Sequence, residues 1–408
     1  MRQTGRLQLG YIRALHSAAA LMVVVLLTAC ASTGSSDAEL NDQAIAEAIQ
    51  TRYESELFTL SLSKQRHYTQ RLYRITAQQR YVPINEAYAA RLALTTQRDI
   101  AGLARSDYPS RRSQAIVDGY PARSEKQRRR KSMLGEWGDI AFAKNLLFKL
   151  DMANDYGLLD TPAFAGHQQA LTYLKTVDFK AFLSDSAVIE NYAAQVANMV
   201  YSLHQLGIAD LRGEVLDAFR RHYPPERDPQ LSQASFRNKI YGLTHFVIAA
   251  SDYYQHSVSE AEYGWVLDYF AANIERILDE TKADIYTEVG LGFQLLERRT
   301  DPALVRIKQA LRRKYDPRAR MIPAEDGGTG LSAGEHRNVL AIMLLRWPER
   351  LTPGPNLAAE PSFLFHQLQN FAKLGMLAVV QPFEHHHLAG DGPRTGTPRA
   401  FDGGGLVE

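Results

Sequence analysis

One cysteine, Cys30, is the only thiol in 408 residues, so no disulfide can form within the chain and its stability must come from packing. An excess of either charge is also missing. The 47 Lys and Arg against 45 Asp and Glu leave a net charge of +2, too weak to argue for nucleic acid or an acidic polymer as partner. No stretch alternates apolar and polar residues between turn signals, so strands are expected to be few or absent. No complete catalytic motif is present. What remains is an ordinary globular composition, 45% hydrophobic and 23% charged, long enough for a large core.

The N-terminus carries the most specific signal. Arg2, Arg6 and Arg13 precede the nearly uncharged run Ala14 to Leu27, and Leu27-Thr28-Ala29-Cys30 follows. A basic segment, a short apolar segment and small residues describe a secretory signal over 1–29, and the run is too short to span a membrane. The four residues ending at Cys30 resemble a bacterial lipobox. That resemblance implies palmitate-type acylation of Cys30 and, since Ala31 rather than Asp follows, placement on the outer membrane facing the periplasm. Residues 30–40, small and polar, are expected to be a flexible tether.

Beyond the tether, 41–131 reads as an N-terminal helical extension that Pro83 should break or kink, ending in the basic run Arg123 to Lys131. A solvated helix end or contact with anionic headgroups both fit that run. From 132 to 387 the pattern is a series of helices. Thr161-Pro162 and Asp301-Pro302 read as helix starts, and Ser259 to Glu262 and Ser332 to Glu335 as capping boxes. The Gly-Pro-rich tail 388–408 is expected to be disordered.

The helices alternate in kind. Asn191 to Ala209 has no charged residue, and no Lys, Arg or Glu lies between Lys239 and Glu260. Ala283 to Leu296 has no Lys or Arg. The helices between them (Leu211 to Tyr223, Glu260 to Glu280, Pro302 to Tyr315) are charged and amphipathic. The uncharged members recur every 43 to 48 residues, judged by Asn198, His245, Glu288 and His336. Helical hairpins at that period predict an all-α fold with uncharged helices inside, and the chain so resembles α/α-toroid proteins, which surround a central cavity.

On those inner helices polar residues converge. A helix over Tyr241 to Gln255 would be apolar through Leu243, Phe246, Val247, Ala250 and Tyr254, and neutral-polar through Tyr241, Thr244, His245, Asp252 and Gln255. Asn191, Gln195 and Asn198 share a face, giving with Tyr241 a candidate ligand-binding set. Asp284 and Glu288 are i, i+4 carboxylates with no basic neighbour. Burial would raise the pKa of at least one, which suits a general acid, with His245 as base; alternatively Glu288 and His245 bond to each other or to the backbone and fix the helix packing. His245, Glu288 and His336 form a metal-capable set without a local motif. Glu384-His385-His386-His387 is a denser ligand run, but it adjoins the expected tail. Gly330-Leu-Ser332-Ala-Gly334 matches GxSxG without the strand that motif requires, so Ser332 reads as a helix N-cap.

The segments Tyr241-Gly-Leu-Thr-His-x4-Ala-Ser-Asp-Tyr-Tyr-Gln255, Asp284-x3-Glu-Val-Gly-Leu291 and His336-Arg-Asn-Val-Leu-Ala341 resemble a domain-of-unknown-function family of Gram-negative bacterial lipoproteins, over about Leu134 to Ala378. The resemblance implies a unit but no activity. Two readings stand at this point. One is a non-catalytic binding or envelope-assembly protein, whose cavity holds an envelope saccharide or peptidoglycan fragment and whose partner is otherwise an envelope protein. The other is a hydrolase or lyase on a glycan, with or without a divalent metal.

Overall fold

The computed structural model describes residues 36–359, with side chains from Asp42 onward. Cys30 with the signal segment, and His385 to His387 with the tail 388–408, lie outside the described residues. Within them the chain is all-helical, as expected, and the only strand-like pairing is an isolated bridge between Asp316 and Met321.

The α-helices are α1 Ser36–Ser55, α2 Leu62–Thr76, α3 Val82–Gly102, α4 Tyr108–Asp118, α5 Glu125–Glu136, α6 Ile140–Asp155, α7 His167–Lys175 and α8 Phe179–Ser184. They continue as α9 Ser186–Gln205, α10 Arg212–His222, α11 Gln233–Ala250, α12 Glu260–Ala272, α13 Ile274–Glu280, α14 Ala283–Leu295, α15 Pro302–Lys314 and α16 Leu331–Leu345. Their ends follow the sequence in part. The Asp301 carboxylate accepts from Ala303 N at the start of α15, and Ser124 with Gln127 closes a capping box on α5. Ser259 precedes α12 without a side-chain cap, and Ser332 lies inside α16, whose N-cap is Gly330. Pro83 starts α3 instead of breaking a helix, because its missing N–H costs nothing in a first turn.

Packing closes a cycle. Helix α9 packs on α11, α11 on α14, α14 on α16, α16 on α2, α2 on α3, α3 on α6, and α6 again on α9. Helices α9, α11, α14 and α16 are buried along most of their length, while α10, α12 and α15 pack on them from outside and bury only one face. This is the inside-outside division that the charge pattern predicts. Where α9 and α11 pack, Gly242 lets them approach: a Cβ there would stand 2.6 Å from the Phe219 ring and 2.9 Å from Ala193 Cβ.

Three boundaries differ from expectation. Helix α1 begins at Ser36, inside the segment read as tether. The segment 41–131 does not stand apart: Ile49, Tyr53, Tyr68 and Leu72 belong to the same core as Val339 and Leu340, and α2 is part of the cycle. The helix expected over Tyr241 to Gln255 starts earlier, at Gln233, and stops at Ala250. After it Asp252, Tyr253 and Tyr254 take left-handed backbone angles, φ 50, 56 and 76. Three successive non-glycine residues there cost about 1–2 kcal/mol each, so something must hold them.

Arg74, at the end of α2 and only 2% exposed, does so. Its Nη1 donates to Tyr253 O at 2.7 Å and Asp252 O at 3.4 Å, its Nε to Gly354 O at 3.0 Å, and its Nη2 to Asp155 Oδ2 at 3.2 Å. Gly354 belongs to a strap, residues 351–357, that crosses this end of the bundle. Thr352 N donates to Arg74 O, Gly354 N to Gln255 Oε1 and Leu357 N to Tyr156 O. One guanidinium thus ties α2, α6, the left-handed turn and the strap together. Replacing Arg74 with Met should cost about 3–5 kcal/mol in chemical denaturation, since it strands Asp155 and three carbonyls in a buried place.

Candidate functional site

Inside the cycle lies a cavity with about 90 Å³ open to the centre of a water molecule, lined from α2, α6, α9 and Tyr253. That is space for roughly six waters, enough for one sugar ring or a group of similar size. Helix α2 presents Arg66, His67, Gln70, Arg71 and Arg74 at i, i+1, i+4, i+5 and i+8, one face of a helix. Helix α6 presents Lys144, Phe148, Asp151 and Asp155, and α9 presents Gln195, Asn198 and Ser202.

Behind one wall runs a connected set of polar side chains. Glu288 on α14 is 1% exposed. Its Oε2 accepts from Thr244 Oγ1 at 2.8 Å, and its Oε1 faces His336 Nε2 at 3.3 Å and His245 Nε2 at 3.6 Å. His245 Nδ1 meets Asn198 Oδ1 at 2.9 Å, so its ring is held between Asn198 and Glu288. On the other side His336 Nδ1 lies 3.3 Å from His67 Nε2, and His67 Nδ1 lies 2.7 Å from Glu335 Oε1. The chain Asn198–His245–Glu288–His336–His67–Glu335 joins α9, α11, α14, α16 and α2, and both its Asn198 and its His67 reach the cavity.

The three residues read from sequence as a possible metal or acid-base set, His245, Glu288 and His336, therefore do meet. The acid role does not follow. Burial alone would push the Glu288 carboxyl up, but His245 and His336 outweigh it and hold it down at about 2, so at neutral pH it is an anion with no proton to donate. Among the described residues no cluster of three or more His, Cys, Asp or Glu is arranged to hold a metal ion.

The other candidates separate. Gln195 lines the cavity with Asn198, but Asn191, one turn earlier beside the kink at Tyr192, bonds its own helix through Ala187 O. Tyr241 packs its ring edge-on to His245, centroids 4.6 Å apart, and does not line the cavity. Asp284 is half-buried at the start of α14, where it accepts from Ile285 N, away from the Glu288 cluster. Asp252 sits in the left-handed turn, not on a helix with His245, and accepts from Gln205 Nε2 and His256 Nε2.

Sequence reading missed much of the wall: His67, Gln70, Arg71 and Arg74 on α2, Lys144, Asp151 and Asp155 on α6, and Glu335. The α6 carboxylates had a visible mark, i, i+4 spacing without a basic residue between them. Burial, with Asp155 and Asp252 nearby, pushes the Asp151 carboxyl up to about 8 despite the bond from Ser202 Oγ at 2.8 Å. Burial also raises the Asp155 carboxyl, against the pull of Arg74. On the same helix burial and Arg130 lower Lys144 to about 8.

A family model described as Domain of unknown function (DUF3541) matches residues 42–372, and no curated protein and no solved structure matches the chain.

The geometry makes Glu288 a packing group whose loss is read in stability. Glu288→Gln should cost about 3–5 kcal/mol by leaving two imidazoles without their anion. Because the folded carboxyl lies below the ordinary value of 4.5, its contribution is full above that value and disappears as pH falls from there towards about 2. Urea unfolding of wild type and variant between pH 7 and pH 2 should show the two curves converging only at the acid end.

Proposed function

The chain belongs to the DUF3541 family, of unknown function, and we propose that it is a lipid-anchored, periplasm-facing binding protein. Its cavity holds a small polar ligand of the cell envelope, a saccharide or a peptidoglycan fragment. The observation that carries this reading is the make-up of the cavity wall. Amides (Gln70, Asn145, Gln195, Asn198), a hydroxyl (Ser202) and charged groups of both signs surround it, with Phe148 and Tyr253 as the rings. Sugars are recognised in this way, by many directed hydrogen bonds and an apolar face against an aromatic ring. The closed cycle of helices supports an α/α toroid, and Leu27 to Cys30 supports acylation at Cys30 with the fold held at the outer membrane.

A second reading, a hydrolase or lyase on a glycan, is favoured by one specific observation. Asp151 is a cavity-wall carboxyl that keeps its proton at neutral pH, which a general acid requires. The acid in that reading is Asp151 and not Glu288 or Asp284.

Two measurements test these proposals. Wild-type protein should take up labelled palmitate and fractionate with outer membranes, and Cys30→Ser should do neither. An unmodified Cys30 would remove the anchor. Muropeptides and oligosaccharides from the envelope should raise the melting temperature without being cleaved, in wild type and Asp151→Asn alike. Release of product by wild type, lost in Asp151→Asn, would replace the binding reading by the enzymatic one.

A further inference from the structure

The cavity holds more positive charge than its own carboxylates answer. Arg71 is 6% exposed, yet no carboxylate lies within ion-pair distance of it, and its Nε has no hydrogen-bond partner. Lys144, half-buried on the facing helix, likewise has no carboxylate in reach, and its ammonium approaches the Tyr192 ring, at 5.8 Å. A cation as buried as Arg71 is ordinarily paired with a carboxylate. The wall's own carboxylates do not supply the partner. Asp155 is taken by Arg74, and Glu335, whose charge acts on Arg71, is bound to His67. Asp151 is held protonated at neutral pH by its surroundings.

Two amides sharpen the pattern. Gln70 is 3% exposed, and its Nε2 has no partner, while its Oε1 accepts from Arg66 Nη1 at 2.9 Å. Asn198 is 9% exposed, and its Nδ2 has no partner, while its Oδ1 is engaged by His245. In each case the acceptor end is occupied and the donor end is left over at the cavity wall. Unpartnered donors buried to this degree are uncommon. The Glu288–His245 pair thus positions Asn198 with its amino group outward.

We propose that Gln70, Arg71, Lys144 and Asn198 form a receptor for a carboxylate, so that the ligand is an acidic sugar rather than a neutral one. This rests on the reading of the cavity as a saccharide site and narrows it to one chemical class. Cations from two facing helices supply the charge, and the two amides supply fixed donors for the carboxylate and ring oxygens. Asp151 Oδ1, which has no hydrogen-bond partner, remains for a ligand hydroxyl.

Titration calorimetry of the full chain in detergent solution, with D-glucuronate and D-glucose as probes, tests this. Glucuronate should bind at least tenfold more tightly than glucose. Gln70→Glu and Asn198→Asp, which keep shape and the bonds to Arg66 and His245, should each weaken glucuronate by tenfold or more and leave glucose little changed. Circular dichroism checks that each variant is folded, and Lys144→Met offers an independent loss of charge should either fail to fold. Equal affinity for the two sugars would overturn the carboxylate receptor and leave a neutral-saccharide cavity standing. Binding of neither sugar would overturn both.

Discussion

The guanidinium of Arg74 is the interaction on which the cavity depends. A bundle of this size can bury its apolar surface in several ways, and apolar burial alone does not say where a wall should stop. Arg74 does, because its donors have fixed directions and each is used by a different part of the chain: the carboxylate of α6, the carbonyls of the left-handed turn and the carbonyl of the strap. Lysine could not replace it, having one charged point instead of a planar fork. The backbone strain of Asp252 to Tyr254 is balanced here, and the balance brings Tyr253 to the cavity wall.

Around that tie the polar groups divide into two layers. Glu288, His245 and His336 are packed together between inner helices, with the carboxylate 3.6 and 3.3 Å from the two imidazoles, so their role is to fix geometry. Gln70, Arg71, Asn198 and Asp151 stand one shell further in, at the cavity surface, with bonding capacity left over. The first layer orients the second, as His245 does for Asn198. A buried polar cluster of this kind specifies one arrangement of its helices, and the wall in front of it keeps donors and acceptors unused.

The helical class and the division into inner and outer helices were legible because burial and charge exclude each other along α9, α11, α14 and α16. The meeting of His245, Glu288 and His336 was legible for the same reason: spaced by about one hairpin, they fall on successive inner helices. That rule failed at α2. Its Arg66, His67, Gln70, Arg71 and Arg74 look like a solvent face, and only the closed cycle turns that face inward, which no local pattern records. The turn after α11 was misread because Asp252, Tyr253 and Tyr254 include no glycine to mark positive φ. The expected acid at Glu288 failed because its neighbours in sequence offer nothing to lower its carboxyl, whereas in space His245 and His336 do.

The strap at 351–357 has a consequence for how the molecule is made. It joins Arg74 to Gly354 and Tyr156 to Leu357, so this end of the bundle is closed by chain separated by some 200 to 280 positions. Contacts that distant form late, after the entropy of closing so long a loop has been met. Helix pairs such as α9 and α11 can dock while synthesis is still under way, but the contacts of Arg74 with the strap exist only when residues beyond 350 have emerged and folded back over α2. The tie at Arg74 is therefore completed at the last step of folding, and a chain stalled or clipped before the strap would keep most of its helices and lose the tie.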